Sequence, residues 1–81
     1  MMKAIEIKIL PSTDHLQTRV KAWALDNKPL VLPRNYSLLS SEDAEVVAIA
    51  YACRLGWLNG KNKLVLGVLP NGNYCAVITN K

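Results

Sequence analysis

Positive charge and an aromatic ring alternate with other residues in one short segment of the chain. Arg19, Lys21 and Trp23 fall on one side of a predicted strand, because successive side chains of a strand point to opposite faces. Lys8 projects from an earlier strand and would join them if the two strands are neighbours. Sheet proteins hold single-stranded nucleic acid on such faces, where cations follow phosphates and rings stack on bases. We therefore expect Lys8, Arg19, Lys21 and Trp23 to form a binding surface.

The same residues allow a second interpretation, a surface that docks on another protein. Lysine and arginine are ordinary on a solvated sheet face, and a lone tryptophan there can cover its neighbours or contact a partner. Docking would use Trp23 or the short strand predicted at residues 30–32. Homodimerisation through the open face or an unprotected edge is compatible with both interpretations.

Neither catalysis nor metal or cofactor binding is predicted. His15 lies in a polar loop without a nucleophile placed beside it by a local motif. Two scattered cysteines and one histidine cannot supply the four ligands of a structural zinc. Residues 56–61 resemble a phosphate-binding loop, but they have one spacer residue too few and follow a helix. We expect a protein that is not an enzyme and has no cofactor.

Length and composition indicate one soluble domain spanning residues 1–81. A chain that is 51% hydrophobic and 20% charged is too apolar for disorder, and no apolar run approaches the roughly 20 residues of a membrane span. The N-terminus alternates charged and apolar residues, unlike a signal peptide, so we expect a cytoplasmic protein. Cys53 and Cys75 are predicted to be buried, reduced thiols. The net charge of +4 weakly favours anionic partners.

Residues 40–55 carry the signals of a single helix. Ser40 is predicted to be the N-cap, with Asp43 three residues later and further acids in the positive first turn. Arg54 lies in the last turn, and Gly56 is predicted to end the helix. Trp57 is expected to fold back on the helix end as a structural residue.

The apolar character of this helix predicts that most of its circumference is covered. The sector expected to face water comprises Glu42, Glu45, Ala48 and Ala52. Alanine is frequent along the helix, which predicts a close approach to a sheet. The side chains expected to fill the space between helix and sheet are Val46, Val47, Ile49, Tyr51, Cys53 and Leu55.

Period-two alternation and turn residues predict five strands. Pro29 and Pro33 flank the third strand and place it at a sheet edge. Asp26 and Asn27 tolerate the left-handed conformations of a tight turn, and the Asn-Gly pair before residue 73 predicts a second hairpin with positive φ at Gly72. The predicted strands cover residues 3–10, 18–25, 30–32, 63–69 and 74–79.

The resulting order, β-β-β-α-β-β, predicts an α+β fold with two layers. We expect an antiparallel sheet of about five strands with one helix packed on one face. Strand order is left open by the sequence. Val47 and Tyr51 are expected to pack on the inward residues of the first two strands.

Four segments of the chain, KAIEIKIL, TRVKAW, LGW and KLVLGVLPNGNY, together resemble a family of short uncharacterised proteins encoded by phages and prophages. The resemblance covers nearly the whole chain except the loops at residues 11–17 and 33–40. It implies a mobile-element origin, a location in the bacterial host cytoplasm and an accessory role. In that setting, the docking interpretation becomes inhibition of a host protein such as a component of a defence system, as anti-CRISPR proteins do.

Overall fold

The computed structural model of the protein describes residues 3–80. Six elements follow one another in these residues, in the predicted order of three strands, one helix and two strands. They are β1 (Lys3–Leu10), β2 (Arg19–Trp23), β3 (Leu30–Pro33), α1 (Ser40–Arg54), β4 (Asn62–Val68) and β5 (Tyr74–Asn80).

The strands form one antiparallel sheet in the order β3-β2-β1-β5-β4, which confirms the predicted α+β architecture. β1 is central because it pairs with β2 on one side and with β5, from the end of the chain, on the other. β3 lies at an edge, as its flanking prolines predicted.

β1 has its predicted bounds, and the other strands differ from theirs by one or two residues, most clearly β2. Asp26 adopts a left-handed φ of 63°, and the Asn27 backbone N–H donates to Ala24 O at 3.2 Å. Ala24 and Leu25 therefore belong to the turn and not to the strand. The second hairpin is confirmed, since Gly72 has a φ of 89° and the Leu69 N–H donates to Asn73 O at 2.7 Å.

The helix packs on one face of the sheet through a stripe of small residues and two larger ones. Its buried apolar residues recur every three or four positions, the spacing that brings side chains to one helix face. Val47 and Tyr51 belong to the same core cluster as the inward residues of β1 and β2, as predicted. The fully buried apolar residues of the helix are Ala44, Val47, Ala48, Tyr51 and Ala52.

The predicted orientation of the helix about its axis was wrong in part. Ala48 and Ala52 were expected to face water, but both are completely buried. Val46 and Ile49, expected in the core, are 51% and 37% exposed, and Cys53 is also exposed. The physical reason is the close approach that alanine permits, which brings the helix backbone near the sheet and leaves the larger side chains at its margins.

The helix begins one residue earlier than its predicted cap implies. Leu39 is the N-cap and Ser40 the first helical residue. The Leu39 backbone N–H donates to Glu42 Oε1 at 2.9 Å, so a carboxylate three residues on satisfies the cap backbone without a hydroxyl cap. Asp43, predicted as the partner of Ser40, instead bonds Arg34.

The helix ends as predicted at Gly56, which has a φ of 74°. The Trp57 N–H donates to Ala52 O at 2.8 Å and the Gly56 N–H donates to Cys53 O at 3.1 Å. This pair of hydrogen bonds is the Schellman motif. It turns the Trp57 side chain back onto the core, where Lys3 Nζ lies 4.6 Å from the ring centroid.

Candidate functional site

The β1–β2 pairing gathers the four predicted binding residues on the sheet face that the helix leaves open. In the register of this pair, Lys8 lies directly opposite Lys21 and Arg19 lies opposite Leu10. Trp23 stands two residues beyond Lys21 on the same face. We call Lys8, Arg19, Lys21 and Trp23 the basic patch.

The basic patch contains an unfavourable charge arrangement. Like charges directly opposite one another in neighbouring strands are destabilising, and Lys8 and Lys21 are such a pair. Within residues 3–80 the one salt bridge joins Arg34 to Asp43, so these lysines and Arg19 have no carboxylate partner among the described residues.

Glu6 is the carboxylate that lies nearest the basic patch in the strand register, directly opposite Trp23. Its Oε2 atom accepts a hydrogen bond of 2.7 Å from Asn73 Nδ2, at the start of β5. This contact directs the carboxylate toward the β5 side of β1 and away from Lys21, which lies on β2 at the other side of β1.

Trp23 is half-buried, and Lys21 Nζ lies 5.3 Å from its ring centroid. A cation over an aromatic ring at an exposed site contributes about 0.5–1 kcal/mol. Lys21 and Trp23 therefore stabilise each other's positions on the strand, and both side chains remain partly exposed to solvent.

The other half of the open face differs sharply in character. Here β5 and β4 continue the sheet with small and apolar side chains, of which Val65 is 50% exposed, as far as the Lys63–Thr79 pair near the strand ends. Gly67 contributes no side chain, and a Cβ atom built on it would meet nothing within 4 Å. We call this surface the apolar half, which consists of Ala4, Val65, Gly67, Cys75 and Val77.

The sequence does not predict two of the polar contacts in the structure, one beside the basic patch and one at the start of the helix. The Glu6–Asn73 bond joins residues 67 positions apart, so no local spacing signals it. Arg34 and Asp43 form a buried ion pair at 2.9 Å, whereas the sequence predicts for Asp43 only a role at the helix N-terminus, with the Ser40 cap and the helix dipole. An acidic residue in the first turn of a helix is compatible both with stabilising the helix dipole and with an ion pair to another segment. Only the tertiary contact distinguishes these two roles.

Other site types have no counterpart in residues 3–80. These residues contain no group of three His, Cys, Asp or Glu side chains able to hold a metal ion, and no enclosed pocket. His15 lies in the exposed loop after β1. The helix that the structure describes is not long and apolar enough to cross a membrane.

Comparison of the chain with protein-family models, with curated proteins and with solved structures gives no match.

Proposed function

We propose that this protein binds single-stranded nucleic acid through the basic patch and that it is not an enzyme. The observation that carries the proposal is the direct opposition of Lys8 and Lys21, without a carboxylate partner among the described residues and beside an aromatic ring. A phosphate between the two ammonium groups would convert their repulsion into two attractive contacts. The ligand-free protein thus contains a charge repulsion that an anionic ligand would relieve.

Stacking of a base on Trp23 is energetically compatible with the contact that Lys21 makes to the ring. Base stacking on an aromatic side chain contributes about 1–3 kcal/mol, more than the cation–π contact of about 0.5–1 kcal/mol that it would displace. Lys21 would then be free to turn toward a phosphate, so one rearrangement serves both parts of the ligand.

Arg19 extends the positive charge along the edge of this surface. It lies two residues before Lys21 on the same strand and opposite Leu10. A single-stranded ligand running along β2 would therefore pass Arg19 and then the Lys8–Lys21 pair before it reaches the ring. Recognition of this kind follows the backbone and tolerates many sequences.

The resemblance to short phage and prophage proteins supports a cellular setting for this activity. We place the protein in the cytoplasm of a bacterial host, in an accessory role for a mobile element. In this proposal the protein binds its ligand and does not catalyse a reaction on it.

The proposal is tested by titrating the protein with a fluorescein-labelled single-stranded oligonucleotide at several salt concentrations. Trp23→Leu keeps apolar cover but removes the stacking face, so we expect the affinity to fall by about 1–3 kcal/mol. Intrinsic tryptophan emission should be quenched on binding in the parent protein. In Trp23→Leu the remaining emission, from Trp57 on the helix side, should change little.

A matched pair of lysine variants tests the electrostatic part. Lys8→Gln should reduce the slope of log K against log salt by about 0.7, the value for one phosphate contact to a single strand. Lys28→Gln removes the same charge from the exposed β2–β3 turn and should leave the slope unchanged. Equal effects of the two variants would show that binding depends on net charge and would refute a defined site.

A second function is favoured by one feature beside the basic patch. Val31 of edge strand β3 is 42% exposed and lies directly opposite Lys21, so an apolar strand edge continues the surface that carries Trp23. Such an edge fits docking on a host protein, for instance inhibition of a defence component. In that case no oligonucleotide would bind even in low salt, and Trp23→Leu would abolish capture of the host protein while the melting temperature stays unchanged.

A further inference from the structure

The two edges of the sheet are protected to very different degrees. β3 is a strand of four residues with Pro29 before it and Pro33 at its end, and proline blocks pairing with another strand. β4 is a strand of seven residues without proline. Its residue Val65 lies on the open face of the sheet, and Val68 at its end is 70% exposed. The free edge of β4 is therefore the one open to a further strand.

The sequence of β4 is compatible with pairing against itself. In an antiparallel pair of two copies centred on Val65, each Val65 lies opposite the other on the open face. The same register sets Leu64 of one copy opposite Leu66 of the other on the helix side. These leucines are only half-buried, and the helix lies over β3, β2, β1 and β5. A second copy of the chain would bury Leu64 and Leu66 further.

The charges of the strand favour this register in particular. Lys63 of one copy lies opposite Gly67 of the other, so no two lysines oppose each other across the interface. Gly67, Cys75 and Glu6 occupy one cross-strand row of the open face. Because Gly67 has no side chain, Lys63 of the second copy can extend along this row toward Glu6, the one carboxylate on the described open face. Their Cα atoms would lie three strand spacings apart, about 14 Å, which the two long side chains shorten from both ends.

We propose that two copies of this chain pair through β4 in an antiparallel register centred on Val65, forming a continuous ten-stranded sheet. The interface combines the free edge, the facing valines and leucines, and the charge complementarity between Lys63 and Glu6 across Gly67. It does not rest on the proposed nucleic-acid function. The basic patches of the two copies would lie on the same face, with their β2 strands seven spacings or roughly 34 Å apart along the sheet.

Sedimentation equilibrium of the full chain tests the proposal, with concentrations up to about 1 mM. Gly67→Lys sets two lysine pairs directly opposite one another and Gly67→Glu sets two opposite-charge pairs there. We expect the dimer dissociation constant of Gly67→Lys to exceed that of Gly67→Glu by about tenfold or more. Both substitutions enter open space at a residue without positive φ, so both monomers should fold.

A second pair of variants locates the interface at β4. Val65→Lys sets two ammonium groups opposite each other at the symmetry axis and should leave only monomer. Val31→Lys makes the same change at a similarly exposed position of the other edge and should leave the dimer intact. The proposal is overturned if the parent chain is monomeric at about 1 mM, if Val31→Lys disrupts the dimer, or if Gly67→Lys and Gly67→Glu dimerise equally. Oligonucleotide binding by the basic patch is measured separately and is unaffected by these outcomes.

Discussion

Arg34 Nη1 donates a hydrogen bond to Asp43 Oδ2 at 2.9 Å, and the two side chains are only 9% and 4% exposed. The same carboxylate oxygen accepts the Asn35 backbone N–H at 2.8 Å, and Arg34 also donates to Leu38 O. This cluster fastens the segment after β3 to the first turn of α1. It therefore fixes the position of the helix N-terminus relative to β3.

Removing one partner of this pair should be costly. Asp43→Ala leaves a buried guanidinium without its counter-charge, and we expect the free energy of unfolding to fall by about 3–5 kcal/mol in urea denaturation. Glu45→Ala, which changes an exposed acid two residues farther along the helix, serves as control and should change stability by no more than about 0.5 kcal/mol. Similar losses for the two variants would mean that Asp43 acts only through the helix dipole.

Two adjacent valines report the orientation of the helix. Val47 is 1% exposed and Val46 is 51% exposed. Val47→Asp buries an unpaired carboxylate, a penalty of several kcal/mol against a total stability of about 5–15 kcal/mol, and should unfold the domain by circular dichroism. Val46→Asp should melt within a few degrees of the parent, and unfolding of that variant alone would reverse the assigned faces.

The β4–β5 hairpin depends on the left-handed backbone of Gly72. A side chain with Cβ is disfavoured at a φ of 89°, so Gly72→Ala should lower the free energy of unfolding by about 1–2 kcal/mol. Gly60 has no such φ and has open space around its Cβ position. Gly60→Ala should be neutral or slightly stabilising in the same thermal melts, because it restricts the unfolded chain.

The basic patch should lower the stability of the ligand-free protein. Lys8→Gln removes the repulsion with Lys21, and we expect the free energy of unfolding to rise by about 0.2–1 kcal/mol at low ionic strength. Added salt should diminish the gain by screening. Lys28→Gln changes the net charge equally without relieving a cross-strand pair. If this control gained as much stability, the effect would come from overall charge and not from the patch.

Local sequence determined the order of the elements of this protein and several of their ends. The alternation of Ile5 and Ile7 with charged residues, the glycine at position 56 and the Asn-Gly turn before residue 73 each act through the backbone of a few neighbouring residues. Such preferences are similar in any tertiary setting, and β1, the end of α1 and the second hairpin accordingly match their predictions. The same periodicity also assigned Arg19, Lys21 and Trp23 to one face.

Tertiary structure alone decided which elements meet and which helix face is buried. The β3-β2-β1-β5-β4 order and the opposition of Lys8 to Lys21 depend on pairing between distant segments, which no local pattern encodes. In the helix, apolar residues surround most of the axis, so hydrophobicity could not rank Ala48 above Val46 for burial. Close packing of the backbone against the sheet made that choice, because the smaller side chain allows the shorter distance.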